Sequence, residues 1–146
     1  MKKVCFVCLG NICRSPMAEF VMKDIAKGSQ LLIDSKATSN WEHGNPIHGG
    51  TQKILTKYAV PFDTTKSSQQ FKARDFAYYD YVIGMDAQNV RDLKALSAGR
   101  YDDKIALFCD GGVPDPWYTG DFEETYTLVK SGCQTWLEVI NGEQNS

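Results

Sequence analysis

Short apolar runs alternate along the chain with segments whose apolar residues recur every three or four positions. The runs at residues 4–7, 31–33, 81–85 and 105–108 have the length and composition of buried strands, the second extending toward Ser35. Met17, Phe20, Val21 and Ile25 share a helical face that ends near Gly28. Ile47, Thr51, Ile54, Leu55 and Tyr58 form another, stopped before Pro61 because its ring removes a backbone donor. Residues 63–70 are polar and read as a connector, with a short helical piece at 71–77 after them. Asp86 can cap a helix whose apolar face is Val90, Leu93 and Leu96. The clearest stripe is the last: Phe122, Tyr126, Val129, Cys133, Trp136, Leu137 and Ile140 repeat at helical spacing, which makes Cys133 a core residue.

Strand alternating with helix four times predicts an α/β fold in three layers, a parallel sheet covered by helices on both faces. At 146 residues, 42% of them hydrophobic, the chain has the size of a single domain spanning 1–146 with one well-packed core. Ligands of such sheets sit at the carboxyl ends of the strands, near a switch in strand order. Cys8 follows the first strand and Asp115 the fourth, so two distant loops are expected on one edge.

The first of these loops reads Cys8-Leu9-Gly10-Asn11-Ile12-Cys13-Arg14-Ser15. Five residues between a cysteine and an arginine are enough for the backbone to curl round a tetrahedral oxyanion with its N–H groups inward and the sulfur at the centre. Gly10 permits close approach or a positive φ, and Asn11 tolerates a left-handed turn. Ser15 as N-cap and Pro16 as first helical residue would set a helix N-terminus under the anion. That field favours thiolate over thiol, and Arg14 offers a planar fork for two equatorial oxygens.

Charge makes this anion site a local one. A net charge of −2 argues against a nucleic-acid binder or a polybasic membrane-surface protein. Lys2-Lys3 lead straight into a strand without a signal-peptide core, and no apolar stretch reaches the 18 or so residues of a membrane span, so a cytoplasmic protein is expected. Five cysteines are an odd number without the spacing of a disulfide framework, and Cys5, Cys8 and Cys13 lack partners at zinc-site spacing. Reduced thiols and no metal are expected.

Displacing a phenolate from phosphorus is easier when an acid protonates the leaving oxygen. Asp115 is the best candidate, stiffened by Pro114 and Pro116 and followed by Trp117-Tyr118, which can wall a slot. With both loops in view the chain resembles the low-molecular-weight protein tyrosine phosphatases: the Cys8 to Ser15 stretch is similar to that family's phosphate loop and Asp115-Pro116-Trp117-Tyr118 to its acid loop. Asp34-Ser35, Thr38-Ser39, Gly44-Asn45-Pro46, Asp75-Phe76, Met85-Asp86 and Arg91-Asp92-Leu93 match family signatures in the same order.

The resemblance implies a four-stranded sheet in the order 2-1-3-4 and hydrolysis of phosphotyrosine through a phosphocysteine, with no cofactor. Cys8 would attack, Arg14 and the loop from Leu9 through Cys13 would hold the phosphoryl group, and Asp115 would serve first as acid and then as base. Asn11, Ser15 and Ser35 match positions that support the loop, and Trp41 matches an aromatic that would join Trp117 and Tyr118 around a phenyl ring. Phosphotyrosine proteins and small aryl phosphates would be substrates and inorganic phosphate a product. Cys13 matches a cysteine able to form a reversible disulfide with the nucleophile, and Tyr118 a position phosphorylated in some relatives. The stretch Lys66-Ser67-Ser68-Gln69-Gln70 departs from the family pattern, implying different support behind the loop. His43 and His48 read as surface or helix-start residues.

Two other readings remain. A thioredoxin-coupled arsenate reductase shares the loop type but needs closely spaced relay cysteines, which Cys109 and Cys133 are not. A non-catalytic module that binds phosphotyrosine or senses oxidants would dispense with the nucleophile or the acid, yet Cys8, Arg14 and Asp115 are all present.

Overall fold

A computed structural model describes residues 1–144. Four parallel strands, β1 (Lys2–Cys8), β2 (Leu31–Ala37), β3 (Tyr81–Gly84) and β4 (Ile105–Leu107), line up in the order β2-β1-β3-β4. The helices are α1 (Arg14–Ile25), α2 (Gly49–Lys57), α3 (Asp75–Tyr78), α4 (Ala87–Ser97), α5 (Pro116–Thr119) and α6 (Phe122–Gln144).

Strand β1 explains the layering. Side chains alternate across a strand, and its residues from Val4 to Cys8 are buried on both sides. Val4, Phe6 and Cys8 enter a core built with Met17, Val21, Leu55, Val129 and Cys133, while Cys5 and Val7 enter a second one with Phe71, Phe76, Tyr79 and Leu93. Helices α1, α2 and α6 therefore cover one face, and α3 and α4 the other. The chain leaves β1 for β2 on one side and returns to β3 on the other, so the carboxyl end of β1 is the switch point and Cys8 stands on it.

Local signals set most boundaries. Asp86 caps α4 through a reciprocal capping box with Asn89, and His48 caps α2 by accepting from the Gly50 N–H. His43 is exposed. Strand β2 runs on to Ala37, two residues beyond the predicted end, because it pairs with β1 as far as Cys8. Along α4 the buried positions are Asn89, Leu93 and Ser97, and Leu96 is 44% exposed; the packed line runs at intervals of four and passes it by. The predicted start of α1 is corrected as well. The helix begins at Arg14 with Cys13 as its N-cap, and Ser15 lies within its first turn, since the Ser15 hydroxyl is engaged by Asn11 and Cys8. Among the described residues no helix is long and apolar enough to cross a membrane.

Candidate active site

The loop between β1 and α1 is held by its carbonyls. Thr38 N–H donates to the Cys8 carbonyl at 2.9 Å, Ser39 N–H and Oγ to Leu9 at 3.2 and 2.8 Å, and Ser68 Oγ to Gly10 at 2.8 Å. His48 N–H donates to Ile12 at 2.8 Å and Thr51 Oγ1 to Cys13 at 3.2 Å. A trans peptide points its C=O and the next N–H in opposite directions, and the chain contains no cis bond among its described residues. Carbonyls drawn outward into the scaffold therefore leave the N–H groups of Leu9, Gly10, Asn11, Cys13 and Arg14 to face the loop's interior. The Asn11 N–H reaches Cys8 Sγ at 3.2 Å.

Asn11, with φ 55°, is the left-handed residue of the loop. Gly10 contributes close approach instead: a Cβ there would meet Glu42 Cγ at 3.2 Å. The Asn11 side chain is fully used, donating to Ser15 Oγ at 2.8 Å and Ser35 Oγ at 2.9 Å and accepting from Gln69 N–H at 3.2 Å. The Ser15 hydroxyl, which accepts from Asn11, lies 3.0 Å from Cys8 Sγ and 3.4 Å from the Lys36 carbonyl, so its one proton is shared between those two acceptors. Ser35 in turn donates to Glu19 Oε1 at 2.6 Å, and Glu19, only 3% exposed, is neutralised by Lys23 at 2.6 Å and Lys66 at 3.1 Å. A continuous buried chain thus links a carboxylate on α1 to the sulfur.

Arg14 closes the other side. Its Nη1 donates to Asp86 Oδ2 at 2.6 Å and to the Val113 carbonyl at 3.0 Å, and Nη2 lies 3.4 Å from Asp115 Oδ2. Burial would pull this guanidinium's pKa down, but Cys8, then Asp86 and Asp115, hold it above its ordinary value. Gly112, at φ 72°, lets the loop after β4 pass within contact of Asp86. Val113 N–H then donates to the Met85 carbonyl at 2.8 Å, fixing Asp115 beside the cysteine loop. Asp115 Oδ1 accepts from Trp117 N–H at 3.0 Å and so caps α5.

Cys8, Arg14 and Asp115 meet in one cleft of about 240 Å³, smaller than drug-sized pockets and suited to a single small group. Leu9, Gly10, Ile12, Cys13, Trp41, Glu42, Trp117 and Tyr118 complete its lining. Asn11, Ser15 and Ser35 are buried and act through the hydrogen bonds just described. Trp41, Trp117 and Tyr118 are 75%, 57% and 78% exposed, three large aromatic surfaces left open round the mouth.

A low molecular weight phosphotyrosine protein phosphatase family model matches residues 3–146. The chain belongs to that family. The low molecular weight protein-tyrosine-phosphatase YfkJ of Bacillus subtilis is 41% identical over 99% of both chains, and the crystal structure of YfkJ superposes with a TM-score of 0.94 over 98% of this chain and 96% of that one. The structure of SP-PTP, a low molecular weight protein tyrosine phosphatase from Streptococcus pyogenes, is 64% identical with a TM-score of 0.92, covering 94% of this chain and 92% of that one.

Several residues of the phosphatase's site carry no role in the sequence reading. Asp86 reads as a helix cap, and its second oxygen holds Arg14. The signal was its position at the end of β3, on the same sheet edge as Cys8 and Asp115. Glu19 stands out as a lone acid in the otherwise apolar stretch Met17, Ala18, Phe20 and Val21. Lys66, Ser68 and Gln69, from the stretch that departs from the family pattern, supply three contacts behind the loop. Cys13, almost wholly buried, has its thiol pushed up to about 12 by burial first and then by the negative charge of Cys8 and Asp115.

Proposed function

We propose that this member of the family is a cysteine-dependent phosphatase that hydrolyses phosphotyrosine in proteins, and small aryl phosphates, through a phosphocysteine intermediate. One observation carries the reading: Cys8 Sγ, which accepts from the Asn11 N–H in a loop whose carbonyls turn outward, shares its cleft with a buried guanidinium and with a carboxyl from a separate loop. Cys8 Sγ attacks phosphorus; the S–P bond forms, the bond to the phenolic oxygen breaks, and Asp115 gives its proton to that oxygen. Water then attacks the thiophosphate and yields its proton to Asp115. The S–P bond breaks and inorganic phosphate leaves.

Arg14 and the loop amides bear the charge of the equatorial oxygens in both steps. The 3.4 Å separation between Arg14 Nη2 and Asp115 is long for an ion-pair hydrogen bond, so a phosphoryl oxygen can take that nitrogen without a strong bond having to break. Trp41, Trp117 and Tyr118 offer flat faces to a phenyl ring, and a ring is long enough to reach the sulfur at the base. Cys133 is sealed in the core with Sγ donating to the Ala18 carbonyl at 3.6 Å, which leaves it badly placed for the relay an arsenate reductase needs.

Turnover of an aryl phosphate by the wild-type chain, its loss in Cys8→Ser, and a phosphoryl adduct on Cys8 accumulating in Asp115→Ala are the expected results, read by phosphate release and by mass spectrometry of the quenched protein. Binding of aryl phosphate without turnover, or full activity in Cys8→Ser, would replace this account with a binding module or another nucleophile.

A further inference from the structure

A second cleft lies directly behind the rim of the first. It is lined by Lys36, Asn40, His43, Gln69, Lys72 and Arg74, together with Gln70. The two clefts share one turn of chain: Trp41 and Glu42 line the catalytic cleft, while Asn40 and His43, on either side of them in sequence, line the other. His43 N–H donates to the Asn40 carbonyl at 3.2 Å and closes that turn. Across a turn of this kind the Cα atoms are less than about 7 Å apart. An extended peptide advances about 3.3 Å per residue, so two or three residues suffice to cross it.

The charge of the second cleft is unbalanced. Lys36 Nζ is paired with Asp75 Oδ2 at 3.2 Å, and that same oxygen accepts from Lys72 N–H at 2.8 Å. Lys72 Nζ has only the neutral Gln70 Oε1, at 2.8 Å, and the exposed Arg74 side chain makes no ion pair or hydrogen bond among the described residues. Two permanent cations are therefore left without a counter-charge in a concave, polar recess of a chain whose net charge is −2. The catalytic rim beside it carries Glu42 and no free cation.

We propose that this cleft is a docking site for acidic residues, Asp or Glu, lying a few positions from the phosphotyrosine in the substrate polypeptide. The proposal rests on the phosphatase reading above and adds to it a rule of substrate choice. With the phosphotyrosine ring between the aromatics of the rim, the peptide crosses the turn formed by residues 40–43 and sets its carboxylates against Lys72 and Arg74. Charge complementarity at such a site acts on capture, so it lowers KM and leaves kcat alone.

Tyrosine-phosphorylated peptides with a run of glutamates on the N-terminal or on the C-terminal side, each matched by a glutamine counterpart, test this. One acidic arrangement is expected to lower KM about two- to tenfold against its counterpart, with kcat unchanged and the advantage shrinking as salt is raised. The Lys72→Gln/Arg74→Gln variant should lose that advantage while hydrolysing para-nitrophenyl phosphate as the wild type does. Equal KM for acidic and neutral peptides, or a preference that survives in the double variant, overturns the proposal. If the wild type fails on para-nitrophenyl phosphate itself, the phosphatase reading falls and takes this one with it; turnover of that ester without peptide preference sinks this one alone.

Discussion

Arg14 and Asp86, 72 residues apart in the chain, meet at 2.6 Å through Nη1 and Oδ2. The other oxygen of Asp86 accepts from Asn89 N–H at 2.8 Å, so one carboxylate both starts α4 and aims the guanidinium into the cleft. Without that anchor the carboxylate left to Arg14 among the described residues is Asp115, and the two groups that should act on opposite parts of a substrate would neutralise each other.

Asp86→Asn separates the two duties, because asparagine caps a helix as well as aspartate does. The cap is kept, but Arg14, 3% exposed, loses a counter-charge at 2.6 Å, so stability should fall by about 1–3 kcal/mol. kcat on an aryl phosphate should fall about tenfold to a hundredfold, the cost of misplacing a charged group by an ångström or so. Asp86→Ala should lose the same activity and about 1 kcal/mol of stability beyond that, read by urea denaturation. Unchanged kcat in both variants would mean that Arg14 needs no anchor.

Glu19 tests the opposite side of the loop. Its carboxylate is nearly inaccessible and holds Ser35 Oγ, Lys23 and Lys66 together. Glu19→Ala strands two ammonium groups and a hydroxyl; since both lysines can reach water in part, the expected cost is about 2–4 kcal/mol, short of a fully buried pair. Glu19→Gln keeps the hydrogen bond to Ser35 and should cost less than half as much. Because Glu19 acts on Cys8 only through Ser35, Asn11 and Ser15, the loss should appear in kcat more than in KM, measured with para-nitrophenyl phosphate.

What was legible in the sequence is what rests on local pattern. The strands, the long stripe of α6 with Cys133 in the core, the cap at Asp86 and the pairing of the Cys8 and Asp115 loops on one sheet edge all follow from period, turn chemistry and strand order. Six of the cleft's lining residues were legible because they all fall within the one stretch from Cys8 to Arg14. What stayed hidden is what depends on approach between distant segments. Ser68 and Gln69 read as connector, and nothing local says that their side chain and backbone hold Gly10 and Asn11. Ser15 followed by Pro16 carries the local signature of an N-cap, and only the presence of Asn11 Nδ2 and Cys8 Sγ beside its hydroxyl shifts the helix start to Arg14. Hydrogen bonds inside the loop outweighed a capping preference.

The aromatic rim should contribute to binding and little else. Trp41 is three-quarters exposed and makes no ring contact among the described residues, whereas Trp117 meets His48 edge to face at 5.7 Å. Trp41→Ala should leave stability within about 0.5 kcal/mol. It should raise KM for an aryl phosphate about two- to tenfold, the worth of one ring stack, while inhibition by inorganic phosphate stays the same. A parallel weakening of both would assign Trp41 to the phosphate loop instead.

The buried thiols make stability depend on alkaline pH, and the sign follows from where the proton is held. Cys13 is pushed up to about 12 from an ordinary value of 9.0, by burial foremost and by the anions of Cys8 and Asp115 after it. Below about pH 9 the thiol is protonated in folded and unfolded chains alike, and its contribution is fully present. Between about 9 and 12 the unfolded chain gives up the proton while the folded chain keeps it. The unfolded state then binds fewer protons, so stability falls as pH rises, by about 1.4 kcal/mol per pH unit from this residue. Cys5 and Cys133, also raised by burial, add to the decline in the same direction. Cys13→Ala should be slightly less stable than the wild type at pH 8, where it lacks only the packing of a sulfur. The gap should close and then reverse by pH 11 in equilibrium urea denaturation. Two curves that stay parallel across that range would mean that the Cys13 proton is not held by the fold.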